Sequence, residues 1–204
     1  MAVCSLFVTG AVCVYGIFTS LRPKTPLFYK IVVYGFCSYF LAASYSFLYA
    51  ELLPEGTGFH AGYFGYEGTF FFLFSSYFGA LDRLADGREP EYRIYRIAAL
   101  LPPVLIVLCG GDLWSRLFLL PVACAAYYAC KHLILPDIDM GIIRVMRPYN
   151  GVILLFCLVQ PFTADFVSGG YSDRFPDIPF TVINLVLVAL ALPTARRGVQ
   201  KWFI

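Results

Sequence analysis

The chain has 204 residues, 60% of them hydrophobic, 18% aromatic and only 14% charged, with a mean hydropathy of +0.74. Those proportions exclude an ordinary soluble domain and make lipid the solvent. With a formal net charge of only +2, the basic residues read as topology signals, and no nucleic-acid partner is expected.

Lipid offers nothing to hydrogen-bond a backbone N–H or C=O, so spanning segments must be helices or a closed barrel, and these apolar runs are too long for barrel strands. The expected fold is all-α: a polytopic transmembrane bundle. A span needs roughly 20 residues. Seven runs qualify, at residues 2–20, 27–50, 62–81, 94–110, 114–134, 150–168 and 176–194. The connections between them are short, so residues 1–204 read as a single transmembrane domain. The run that opens MAVCSLFVTG lacks a basic leader, which predicts a retained first helix rather than a signal peptide.

On the second helix, Lys30, Tyr34, Ser38, Tyr45 and Tyr49 share a face. Lys30 sits near the inner end, where its stem lies in the apolar layer and its ammonium reaches headgroup phosphates. On the third, Ala61, Gly65, Gly68, Ser75 and Gly79 form a stripe of small residues, interrupted by Phe72, that suits close helix approach. Glu67 lies about 120° from that stripe. It shares its face with His60, Tyr63, Phe70, Phe71, Phe74 and Phe78. A carboxylate there must face a cavity, find a partner, hold a proton, or reach water at the interface.

Pro102, Pro103, Pro121 and Pro161 are candidate kinks in the fourth, fifth and sixth helices. The fifth ends in Lys131 and His132, and the loop after it carries Asp137, Asp139, Arg144 and Arg147. The sixth has Gln160, Thr163 and Asp165 around Pro161. On the seventh, Asp177, Thr181 and Asn184 make one polar edge. Placing the N-terminus outside and the C-terminus in the cytoplasm puts every Lys and Arg except Arg116 and Arg174 on the inner side, as the positive-inside rule requires of a cell-membrane protein.

All seven cysteines lie in apolar runs without paired or ligand spacing, and only Cys4 and Cys109 are expected at a common depth near the outer surface. With two histidines in the chain, a zinc site is disfavoured and no cofactor is expected. PEGT at 54–57 resembles part of a substrate-binding motif of glycerolipid acyltransferases, and His132 with Asp137 in KHLILPD has the spacing of their catalytic dyad. The order is reversed here, however, and the two fragments fall on opposite membrane faces, roughly 30 Å apart. They cannot share a site. A seven-helix bundle is also similar to the microbial rhodopsins in helix count, but TVINLVLVALALPTA has no lysine for a Schiff base.

The leading expectation is a pocket opening outward between the third, sixth and seventh helices. Glu67, Gln160, Asp165 and Asn184 would line it, with His60 and Asp177 as further ligands. It would take a small cationic or proton-coupled ligand, either as a transporter or as a sensor that signals to a separate cytoplasmic effector. Gln160 and Asn184 can equally serve as interhelical hydrogen-bonders. A second reading is a lipid-acting enzyme at the cytoplasmic interface, using the cluster of Lys131, His132, Asp137, Asp139, Arg144 and Arg147, whose bases would hold a phosphate, with Lys30 as a further headgroup contact. A third is a scaffold without a ligand.

Overall fold

A computed structural model of the chain describes residues 2–52, 61–81, 93–109, 113–135, 142–163 and 177–202. Among these there is no strand. The helices are α1 (Ala2–Ser20), α2 (Leu27–Leu52), α3 (Gly62–Ser76), α4 (Leu101–Cys109), α5 (Leu113–Ile134), α6 (Ile142–Thr163) and α7 (Asp177–Trp202). A π turn, Tyr77–Leu81, prolongs α3, and a 3-10 segment, Arg93–Leu100, leads into α4. Five helices, α1, α2, α5, α6 and α7, are long and apolar enough to cross a membrane. The exterior fits that solvent: Phe7, Phe18, Leu52 and Val107 are 71–75% exposed, an arrangement water would not tolerate over so large a surface.

α1 has the predicted bounds, and α3 with its π turn covers 62–81. Two helices are longer than expected. α6 begins eight residues earlier, because Pro148 lies inside it rather than before it, and α7 runs on past Pro193 to Trp202. In lipid a helix continues through proline when neighbouring helices hold it, since the alternative exposes more unpaired backbone. Pro102 and Pro103 sit in the first turn of α4, where the chain passes from the 3-10 segment into the α-helix.

Six helices close a ring in the order α1, α2, α3, α5, α6, α7, with α7 also touching α2, while α4 packs outside on α5. Aromatic rings fill the middle. Phe156 of α6 stands 5.9 Å from Phe36 and 5.7 Å from Tyr39, both of α2, and 5.4 Å from Phe70 of α3. Phe156 and Phe70 are completely buried.

α2 and α3 meet in a close seam. A methyl group added at Gly65 would lie 2.8 Å from Ala42 Cβ, and one at Gly68 would lie 2.7 Å from Ser38 Oγ. Ser38 Oγ in turn donates to the Gly65 carbonyl at 2.8 Å. Phe72, which interrupts the small-residue stripe, is accommodated from the other side: Gly35 of α2 leaves room for its Cβ. The stripe is shorter than expected, for Ser75 is exposed and nothing comes within 4 Å of a methyl at Gly79.

The cysteine pair also differs from expectation. Cys13 Sγ of α1 donates to Cys37 Sγ of α2 at 3.2 Å. Cys4 is exposed, and the side chain of Cys109 lies outside the described residues.

Gly65→Leu or Gly68→Leu should force α2 and α3 apart and destabilise the protein by about 1–3 kcal/mol, the usual cost of overpacking. Gly79→Leu should leave the melting temperature unchanged. Equal melting temperatures for all three variants in detergent would refute the seam.

Candidate functional site

α3 and α5 run side by side in the same direction, pinned by ring contacts at successive levels. Tyr63 meets Phe118 at 6.4 Å, Phe74 meets Tyr128 at 5.7 Å, and Tyr77 stacks on His132 at 5.7 Å. Glu67 lies one turn beyond Tyr63 on that same side of α3. Interpolating between the first two contacts puts it level with Pro121 and Val122 of α5. The side chain is 7% exposed, and Oε1 is shut off from solvent with no hydrogen-bond partner among the described residues. Pro121, itself buried, carries no N–H, so the Leu117 carbonyl loses its intrahelical donor at this level.

Gln160 and Asn184 come together, but not around Glu67. Gln160 Nε2 donates to Asn184 Oδ1 at 3.0 Å and to the Phe156 carbonyl at 3.1 Å, while Asn184 Nδ2 donates to Tyr39 OH at 2.8 Å. This buried chain ties α6 to α7 and α7 to α2. Sequence reasoning placed Tyr39 nowhere in it, and a lone tyrosine on an apolar helix gives no signal of its partner. Among the described residues this hydrogen-bonded chain does not reach Glu67 Oε1. Phe70, one turn from Glu67, packs on Phe156. His60 and Asp165 lie outside the described residues, as does the side chain of Asp177, the first residue of α7.

A second polar cluster was not anticipated. At the far end of α3, Tyr77 opens the π turn and its OH donates to Asn150 Oδ1 at 3.0 Å. Tyr77 also packs on Tyr149 at 5.9 Å and on His132, and all four side chains are completely buried. Asn150 Nδ2 has no acceptor among the described residues. Since residue 150 was expected to open the sixth helix, Tyr149 fell in a loop and Asn150 at its edge; the early start of α6 brings both inside. π turns often mark functional sites, because the widened ladder redirects a side chain. Here it aims Tyr77 at α5 and α6.

The basic residues expected at the inner face separate. His132 belongs to the core cluster rather than to a headgroup surface, its burial being complete. Lys131 holds its ammonium 5.7 Å from the centre of the Tyr128 ring. Arg144 is exposed, and Arg147, also exposed, points one Nη2 at the Leu135 carbonyl at 3.5 Å. Lys30 is half-buried in the first turn of α2. Asp137 and Asp139 lie outside the described residues. Among the described residues no group of His, Cys, Asp and Glu could hold a metal ion.

The fold and these clusters define an all-α bundle with at least five helices able to cross a membrane. No family model, curated protein or solved structure matches the chain.

Asn184→Leu should strand both Gln160 and Tyr39 and lower stability by about 1–3 kcal/mol, the cost of leaving buried polar groups unpaired. Tyr39→Phe should cost less, near the ~0.6 kcal/mol average of an interhelical hydrogen bond in a membrane. Unfolding titrations in mixed micelles would show the order; a silent Asn184→Leu would contradict it.

Proposed function

We propose that the chain is a multi-pass protein of the cell membrane, with its N-terminus outside and C-terminus in the cytoplasm, that binds a small cationic or proton-coupled ligand beside Glu67. The observation carrying this reading is the Glu67 carboxylate itself. Its Oε1 is buried without a donor among the described residues. Intramembrane acids are costly unless they serve an ion, a proton or a partner, and a cation supplies the charge that a buried carboxylate lacks.

A sensor fits the packing better than a transporter. Phe156, Phe36, Tyr39 and Phe70 fill the middle of the ring, and the Gln160–Asn184–Tyr39 chain bridges α6, α7 and α2 beside them. Binding at the α3–α5 interface can shift those two helices against each other without opening a path through the centre. A separate cytoplasmic effector would read that shift at the inner loops. Lys30, Lys131, Arg144 and Arg147 lie along the inner edge in this threading, where lipid phosphates balance them.

Purified protein should melt at higher temperature in sodium, potassium, guanidinium or methylammonium chloride than in N-methylglucamine chloride at the same ionic strength. Saturation to about 100 times Kd corresponds to about 2.7 kcal/mol. Glu67→Gln should remove the response while keeping the fold. A flat wild-type profile across all four cations, or an undiminished response in Glu67→Gln, would rule out the site. For the threading, an epitope tag ahead of Met1 should be stained on intact cells and one after Ile204 only after permeabilisation; the opposite pattern would reverse the orientation.

A further inference from the structure

At the end of the bundle where α1 finishes and α2 begins, a cleft of about 170 Å³ opens between the α1–α2 turn and the last turns of α7. Its walls are Thr19 of α1, residues 22–26 of the turn, Tyr29 of α2, and Arg196, Val199 and Gln200 of α7. Three of these side chains are cations, Arg22, Lys24 and Arg196, and no acidic side chain among the described residues lines the cleft. Arg22 and Lys24 are exposed and make no ion pair or side-chain hydrogen bond with the described residues. The charge of the cleft is therefore not neutralised from within the described bundle, and its field selects anions.

The cleft is shaped in advance. Arg196 donates from Nη1 to Tyr15 OH at 3.1 Å, and its guanidinium lies 5.7 Å from the centre of the same ring, which fixes its plane and leaves further N–H donors for a ligand. At the base, Thr19 Oγ1 and Tyr29 OH share a hydrogen bond of 2.7 Å. The turn reads Arg22-Pro23-Lys24-Thr25-Pro26. Thr25 Oγ1 donates to the Arg22 carbonyl at 2.7 Å, and Lys24 is held at φ 66°, a conformation that a non-glycine residue adopts at a cost. Two prolines and a threonine bond thus hold a lysine in the left-handed region at the mouth of a basic cleft.

We propose that this cleft binds a phosphate group, with Arg196 and Arg22 taking its oxygens and Lys24 closing over it. Bidentate guanidinium contacts suit the geometry of phosphate, and a lysine supplies a point charge without demanding a direction. The cleft sits where two apolar helices meet the end of a third, which is headgroup depth in a bilayer, so an anionic lipid presents the right chemistry at the right level. A soluble phosphate ester presents the same oxygens from the aqueous side. The site is independent of Glu67, which lies toward the other end of the bundle.

The test uses the full-length protein in neutral detergent with two probes. Native mass spectrometry should show phosphatidylglycerol retained over phosphatidylcholine if the source is lipid, and inorganic phosphate should raise the melting temperature of delipidated protein if the source is soluble. The double variant R22Q/K24Q, whose positions are exposed and leave the packing untouched, should weaken whichever probe binds by roughly 25-fold, at about fivefold per cation removed near a surface. R196Q should weaken it by about fivefold through a residue on a different helix. Failure of both probes to bind wild-type protein, or equal binding by wild type and R22Q/K24Q, would overturn the proposal.

Discussion

The approach of α2 to α3 is the contact on which the rest depends. Between helices in lipid there is no hydrophobic driving force, so association comes from dispersion at short range and from hydrogen bonds between helices. Gly65 and Gly68 let α3 settle on Ala42 and Ser38, Ser38 adds a donor to the Gly65 carbonyl, and Gly35 admits Phe72 in return. These contacts fix the rotation of α3 about its axis. With that rotation set, Phe70 meets Phe156 in the middle of the ring.

The core that results is sorted by chemistry along the bundle. Its middle is a pile of rings around Phe156, and the polar side chains are confined to compact clusters joined by hydrogen bonds. Confinement has a physical cause, since a polar group in an apolar medium costs several kcal/mol unless it is paired. Gln160, Asn184 and Tyr39 meet that condition by pairing with one another. Glu67 Oε1 and Asn150 Nδ2 do not meet it within the described residues. The acid is the one that a small cation would satisfy, which is why the proposed site falls there and not at the amide chain.

The two proposed sites differ in how they hold charge. Beside Glu67 a single carboxylate is withheld from water between two helices, so selectivity rests on desolvation and size. In the basic cleft three cations stay near water and act together through their summed field, so salt weakens the interaction. α2 borders both regions, through Tyr29 in the cleft and through its seam with α3. A helix so placed is a mechanical link between the two ends of the bundle, since packed helices respond to displacement as units.

Much of the architecture was legible in the chain itself. Apolar runs of sufficient length, in a medium that forbids unpaired backbone, dictate helices, and α1, α2, α3 and α5 begin within a residue of where those runs begin. The small residues at 65 and 68 announced a close contact, and Glu67 stood out as a charge that needs a reason. Pro148 misled, because proline ends helices in water but is tolerated where neighbours support the ladder, and the early start of α6 followed from that, while α7 runs on eight residues past its expected end at 194. Pairings lay beyond the reach of the sequence. Asn184 meets Tyr39 across 145 positions, Arg196 meets Tyr15 across 181, and Cys13 meets Cys37 across 24. Periodicity tells which face of a helix a side chain occupies, but which helix lies against that face depends on how the whole set packs, and only the tertiary structure decided that Gln160 meets Asn184 and Asn184 meets Tyr39.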